Sequence, residues 1–200
     1  MVPSKPIVLY WPAMSANRLV PLVLVVMMMA MESYAGRLQR KDAARRDNGS
    51  LYVIYFLQMA GFGTAFGLWS SGHAPAPRLG AWALGAGAAV TLAGIALRVW
   101  SVRTLGQYFT YIVRVSADQQ VVETGPYRLI RHPSYTGGVL TGVGIGLSMR
   151  YALGTLLIGG AMLASYLIRI QVEERALAEG IGEPYRAYMT RTKRLVPFVW

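Results

Sequence analysis

This chain is organised around residues 125–138, which read GPYRLIRHPSYTGG. Pro133 fixes its own φ and favours an extended His132, and proline suits the first turn of a helix. The stretch therefore predicts an ordered turn at Arg131 and His132, followed by a helix from about Pro133. The free amides at the start of that helix would favour a carboxylate or phosphate facing Arg131 and His132. The alternative interpretation is a basic loop that only joins two membrane segments.

The composition excludes several classes of protein. Of the 200 residues, 54% are hydrophobic and only 14% are charged, which is too apolar for an ordinary soluble domain. There is no cysteine, and only His73 and His132 could supply imidazole ligands, so we expect neither a thiol nucleophile nor a metal site. The net charge is +11, but the arginines flank apolar segments and form no single stripe, so we expect a membrane and no nucleic-acid partner.

The apolar residues fall into blocks long enough to cross a bilayer. They predict an all-α integral membrane protein with about five transmembrane helices, at residues 16–31, 51–69, 79–102, 134–149 and 152–170. We divide the chain into an N-terminal membrane region, 1–103, and a site-bearing region, 104–200. The second comprises a loop, the helical hairpin of the last two spans and C-terminal helices. In the fourth span Gly138, Gly142 and Gly146 recur every four residues, which favours a helix-packing face over ligand contact.

Outside the spans, two segments have strand-like content. Residues 111–115 and 120–123 predict a short hairpin around 116–118. After the fifth span we predict a charged helix, 169–177, and then a second short helix that ends at Arg191.

Basic residues are concentrated in three segments, 37–46, 103–131 and 169–194. The positive-inside rule then predicts an N-terminus outside and a C-terminus in the cytoplasm, with the chain in the inner (cytoplasmic) membrane. Residues 125–135 and 169–188 are thereby expected on the same side.

The second of these segments carries further ionisable groups. Arg169 and Glu173 are four residues apart on a helix and can pair, whereas Glu174 lies about 100° round the helix from Glu173. The two carboxylates cannot share one role, so one would pair with Arg169 or Arg131 and the other would face a ligand. Tyr185 and Tyr188 share one helix face, either as a lid or as plain interfacial tyrosines.

Several motifs together resemble a known family. They are Gly-Pro-Tyr-x-x-x-Arg-His-Pro-Ser-Tyr-x-Gly, then Arg-x-x-x-Glu-Glu-x-x-Leu and Gly-x-x-Tyr-x-x-Tyr, preceded by Leu105-Gly106-x-x-Phe109. Their order and spacing are similar to the isoprenylcysteine carboxyl methyltransferases, whose wider relatives are membrane phospholipid N-methyltransferases. Met149-Arg150-Tyr151 stands where eukaryotic members have an asparagine-proline feature, which suggests a compact, prokaryotic-type member.

The resemblance implies S-adenosylmethionine as methyl donor and a lipophilic acceptor that enters sideways from the bilayer. It implies that His132, Pro133, Tyr135 and Gly137 contact the donor. It also implies that the helix carrying Arg169, Glu173 and Glu174 closes the site. Charge supports these roles: the donor's carboxylate suits Arg131 and His132, and its sulfonium suits an aromatic face such as Tyr135.

The acceptor determines what chemistry is needed. A carboxylate acceptor is already ionised, so Arg169 would hold it in line and no strong base is required. An amine or thiol acceptor would need a base, with Glu174 the nearest candidate. We therefore expect Arg169 and Glu174 as catalytic residues. The expected donor-binding residues are Arg131, His132, Pro133, Tyr135, Gly137, Glu173 and Tyr185.

Carboxyl methylation of an isoprenylcysteine-like substrate is the favoured function. The alternatives are a phospholipid-amine or small-thiol methyltransferase, an NADPH-dependent sterol-type reductase, and a non-catalytic membrane protein.

Overall fold

A computed structural model describes residues 15–38, 44–45, 49–71, 78–115 and 119–198. Over these residues the named elements are helices and one pair of two-residue strands, joined by irregular connections. The helices are α1 (Ala16–Leu38), α2 (Ser50–Ser71), α3 (Trp82–Leu105), α4 (Pro133–Ser148), α5 (Ala152–Gly180) and α6 (Glu183–Arg191). Short 3-10 turns occupy Gly106–Tyr108 and Gly125–Arg128, and the strands are β1 (Ala44–Arg45) and β2 (Arg114–Val115).

Four helices, α1, α2, α3 and α5, are long and apolar enough to cross a membrane. The predicted fourth span is α4, which has 16 residues and is roughly 24 Å long, less than the ~30 Å hydrocarbon core. The expectation of an all-α membrane protein is confirmed. Its membrane region comprises four long helices and the shorter α4.

Helix α4 lies between α3 and α5, while α2 packs on α5 and α1 packs on α3 and α4. Glycines allow this close approach on two faces of α4. A Cβ atom at Gly144 would lie 2.4 Å from the backbone nitrogen of Thr91 in α3, and one at Gly146 would lie 2.5 Å from Cα of Thr155 in α5. Gly138 and Gly142 likewise meet α5 side chains, so the predicted glycine packing face is confirmed.

The predicted hairpin is wrong. β2 pairs antiparallel with β1, in the register Arg45 with Arg114, and residues 120–123 form no strand. The partner strand comes from the connection between α1 and α2, which local sequence content cannot reveal. Residues 116–118, the expected turn, lie outside the described residues.

The predicted helix at 169–177 is not a separate element. It is the continuation of α5, which runs without a break to Gly180. The charged residues of this segment are therefore held rigidly relative to the membrane-embedded part of the same helix.

Candidate active site

A cavity of about 410 Å³ runs along one face of α5. The α5 residues that line it recur every three or four positions, which is the repeat of one helix face: Met162, Tyr166, Arg169, Glu173 and Leu177. With Ile181 just beyond the helix, they span roughly 28 Å at 1.5 Å per residue. The cavity therefore joins the apolar interior of the bundle to the charged end of the molecule.

The other helices supply walls of different character. The inner walls are apolar with a few polar groups, and are formed by Met28 and Glu32 of α1 and by Leu51, Ile54, Tyr55 and Gln58 of α2. The end of the cavity at the charged end of the molecule, called the outer end here, is polar. It is formed by Arg131, His132, Tyr135, Tyr185 and Tyr188.

The turn before α4 is held by the chain's C-terminal segment. The backbone N–H of Arg131 donates to the carbonyl of Lys193 at 2.7 Å, and that of His132 donates to the carbonyl of Arg194 at 3.0 Å. Helix α4 then begins at Pro133, as the sequence predicted. These bonds fix His132 at the outer end of the cavity, where its side chain is 4% exposed.

Glu174 lies at the centre of a cluster of two arginines and a histidine. Its Oε1 accepts from Nε of Arg131 at 2.8 Å and lies 3.2 Å from Nε2 of His132. Its Oε2 accepts from Nε of Arg194 at 3.0 Å. Both carboxylate oxygens are thus engaged, and Glu174 joins α5 to the turn before α4 and to the C-terminal segment.

Glu173 faces the cavity. Its Oε2 accepts from the hydroxyl of Tyr135 at 2.5 Å and lies 4.0 Å from Nδ1 of His132. The Tyr135 ring is stacked between His132, at 5.4 Å between ring centroids, and Tyr166, at 4.7 Å. A carboxylate therefore lies beside a continuous aromatic stack that leads into the bundle.

Two tyrosines of α6 close the outer end. Tyr185 lines the cavity and is 4% exposed, and Tyr188 donates its hydroxyl to the carbonyl of Tyr127 at 2.7 Å. Burial raises the pKa of Tyr188 to about 12. Burial, and then the carboxylates of Glu173 and Glu174, raise the pKa of Tyr185. Both hydroxyls therefore stay protonated at neutral pH, and that of Tyr188 acts as a hydrogen-bond donor.

Arg169 occupies the middle of the cavity wall and is 2% exposed. One guanidinium nitrogen donates to Oγ of Ser50 in α2 at 2.5 Å, and the other donates to the carbonyl of Tyr111. The guanidinium therefore lies between the charged outer end and the apolar inner part.

The structure brings six of the nine predicted site residues to one cavity: Arg131, His132, Tyr135, Arg169, Glu173 and Tyr185. The other three do not line it. Pro133 is fully buried at the start of α4, and a Cβ atom at Gly137 would meet the backbone of α3. The carboxylate of Glu174 binds Arg131 and does not face the cavity.

Sequence reasoning gave no role to three further polar residues at the cavity. Arg98 of α3 is 4% exposed and pairs with Glu32 of α1, which also accepts from the hydroxyl of Tyr111. Burying an arginine or a glutamate in the membrane costs free energy, so charged residues within apolar spans are functional candidates. Their presence in α1 and α3 was the signal available in the sequence.

Comparison with known proteins finds similar chains. The model of the isoprenylcysteine carboxyl methyltransferase (ICMT) family matches residues 87–179. The chain is 28% identical over 120 residues to protein-S-isoprenylcysteine O-methyltransferase B of Arabidopsis thaliana, covering 59% of this chain and 61% of that protein. It is 31% identical over 123 residues to the Xenopus laevis protein-S-isoprenylcysteine O-methyltransferase, covering 59% and 42% of the two chains.

A solved structure shows the same fold. It is that of the eukaryotic intramembrane Ras methyltransferase ICMT, with a TM-score of 0.51 and 26% identity. The match covers 75% of this chain and 50% of that one, so the chain spans about half to three fifths of these two relatives. The family match includes α4, most of α3 and nearly all of α5, so it is over these helices that the chain is similar to the isoprenylcysteine carboxyl methyltransferase family.

Proposed function

We propose that the protein is an S-adenosylmethionine-dependent integral membrane methyltransferase that methylates the carboxyl group of an isoprenylcysteine-like lipophilic acceptor. The observation that carries this proposal is the continuous cavity that follows α5 from Met162, inside the bundle, to Glu173 and Ile181 at the charged end. Within such a cavity, a polar methyl donor and an apolar acceptor can bind next to each other.

The outer end of the cavity fits the donor. S-adenosylmethionine, when bound, supplies an electrophilic methyl group on a sulfonium. Glu173 offers an acceptor for ammonium or hydroxyl groups, and the Tyr166 ring at the inner end of the aromatic stack suits a cation. Arg131 adds positive charge there, although its own hydrogen bonds go to Glu174 and to the carbonyls of Met189 and Thr192.

The inner part fits a lipophilic acceptor. Its walls include Met28, Ile54 and Met162, which would pack against a hydrocarbon tail. Tyr55 of α2 both lines the cavity and is 54% exposed, so the cavity wall here includes a side chain at the surface of the bundle. An acceptor would pass sideways from the bilayer between α1 and α2, with its head group next to Arg169.

The surroundings of the carboxylates favour an ester-forming reaction. A carboxylate acceptor is ionised at neutral pH and loses no proton when it is methylated, so Arg169 needs only to bind and orient it. Methylating an amine or a thiol requires removal of a proton. Glu174, the base expected for that case, has both oxygens bound to Arg131, His132 and Arg194, which makes it a poor proton acceptor.

Calorimetry in detergent with S-adenosylmethionine and with NADPH tests the donor. We expect binding of S-adenosylmethionine alone; binding of NADPH alone would support a reductase, and binding of neither a non-catalytic protein. Transfer of radiolabelled methyl to S-farnesylcysteine analogues, released as volatile label by base, then tests the acceptor. Methylation of lipid amines or small thiols with no ester formed would contradict the carboxyl specificity.

The tail is tested with a homologous series of acceptors. Each methylene removed from the part of the tail inside the cavity should weaken apparent affinity about fourfold, since burial of a methylene contributes about 0.8 kcal/mol. A matched water-soluble acceptor without a tail serves as the control. Equal affinity across the series would contradict an acceptor bound through its hydrocarbon.

A further inference from the structure

The orientation of Arg169 depends in part on the segment that follows α3. Arg169 donates to the carbonyl of Tyr111 on that segment and to Ser50 on α2. A long arginine side chain loses rotamer freedom when it is held, so holding it before the acceptor arrives removes that cost from binding. Whatever fixes Tyr111 therefore also helps to fix Arg169.

Tyr111 is fixed from α1. Its hydroxyl donates to Oε2 of Glu32 at 2.6 Å and to the main-chain carbonyl of the same residue at 2.7 Å. Its ring meets Phe109 edge-on, with 5.2 Å between ring centroids, and Phe109 is buried against Ala35 and Val102. Burial, and then the Glu32 carboxylate, raise the pKa of Tyr111, so its hydroxyl remains a donor.

Glu32 is in turn held by α3. Nε of Arg98 lies 2.8 Å from Oε1 of Glu32, and the NH2 nitrogen donates to Oε2 at 2.8 Å. The NH1 nitrogen of Arg98 donates to Oγ of Ser134 at 2.9 Å, at the start of α4. Oε2 of Glu32 thus accepts from both Arg98 and Tyr111, which ties the orientation of the carboxylate to both residues.

We propose that Glu32 and Tyr111 are positioning residues that act through Arg169, holding its guanidinium ready for the acceptor's carboxylate. This inference rests on the proposed function, in which Arg169 binds that carboxylate. Glu32 and α1 lie outside the region matched by the family, residues 87–179. The first helix thereby contributes to the reaction and is more than a membrane anchor.

A double-mutant cycle tests this relay. Tyr111→Phe removes one hydroxyl and keeps both the ring and the carbonyl that Arg169 uses. We expect kcat/KM for a carboxylate acceptor to fall about tenfold, with an unchanged KM for the methyl donor and an unchanged melting temperature. In an Arg169→Lys background the same change should have little further effect, because it acts through Arg169.

The controls separate positioning from folding. Tyr34→Phe removes a tyrosine hydroxyl from an exposed hydrogen bond with Arg103, near the same end of α1. It should leave kcat/KM for the acceptor and KM for the donor unchanged. Glu32→Ala should lower kcat/KM for the acceptor as Tyr111→Phe does, again with an unchanged KM for the donor. This holds even if the loss of the partner of Arg98 lowers the melting temperature.

Two results would overturn the proposal, and they are distinguishable. If the effects of Tyr111→Phe and Arg169→Lys multiply, Tyr111 does not act through Arg169, although the proposed function stands. If the wild-type protein transfers no methyl group to any carboxylate acceptor, the proposed function is wrong and this inference falls with it.

Discussion

Glu173 and Glu174 are adjacent in α5 and have different surroundings. Glu173 accepts from Tyr135 and lines the cavity, whereas Glu174 binds Arg131, His132 and Arg194. The 100° step between successive helical residues produces this division, since it turns one carboxylate towards the cavity and the other towards the C-terminal segment. The sequence predicted that the two would differ, but it left open which of them faces the ligand.

Paired substitutions test that division. Glu173→Gln should weaken donor binding at least tenfold with little change in melting temperature, because it removes a charged acceptor at the cavity. Glu174→Gln leaves Arg131, whose side chain is 8% exposed, without its carboxylate, and we expect a loss of about 3 kcal/mol of stability, or roughly 5–10 °C in melting temperature. Calorimetry and thermal unfolding in the same detergent measure both quantities. Equal effects of the two variants on donor binding would contradict the assignment.

At the scale of single residues, the sequence predicts contacts only between residues that are close along the chain. His132 and Tyr135 belong to one short motif whose spacing is itself the signal. By contrast, Glu32 bonds Arg98 across 66 residues and Tyr111 across 79 residues, and no local pattern links them. The cluster becomes visible only when α1, α3 and the segment after α3 are packed together.

At the scale of elements, hydrophobic blocks predicted the helices well, because burial in lipid requires long apolar runs. The strand pair was predicted wrongly, since β2 finds its partner in the connection between α1 and α2. Helix α4 shows why a short apolar segment is ambiguous. Its length suits a marginal span, but its glycines on two faces suit a helix enclosed by α3 and α5.

The packing of α4 can be tested with two matched glycine substitutions. Gly144→Ala would place a methyl group 2.4 Å from the backbone of Thr91, so the helices must separate, at a cost of about 1–3 kcal/mol. Gly160→Ala in α5 meets nothing within 4 Å and should be neutral or slightly stabilising. Melting temperatures in detergent measure the difference. If both variants unfold alike, close packing of α3 against α4 is not what stabilises the bundle.

At the scale of the whole molecule, the structure separates two ends of the bundle. At one end, the backbone N–H of Leu79 donates to the carbonyl of Arg150, so the connection before α3 meets the turn between α4 and α5. At the other end, His132 meets Glu174, and β1 pairs with β2. The prediction that residues 125–135 and 169–188 lie on the same side is thereby confirmed, whereas the division of the chain at residue 103 stays a prediction.

We propose that the end carrying the cavity's polar groups faces the cytoplasm, because the described parts of the basic segments 37–46, 103–131 and 169–194 belong to it. The chain has no cysteine, so single cysteines can be introduced without background labelling. A cysteine at exposed Arg191 should react with an impermeant maleimide only from the cytoplasmic side, and one at exposed Ser71 only from outside. Inverted and right-side-out vesicles measure the two reactions, and labelling after detergent solubilisation is the control for reactivity. The reverse pattern would place the polar end of the cavity outside the cell, away from the cytoplasmic supply of S-adenosylmethionine, and would contradict the proposed orientation.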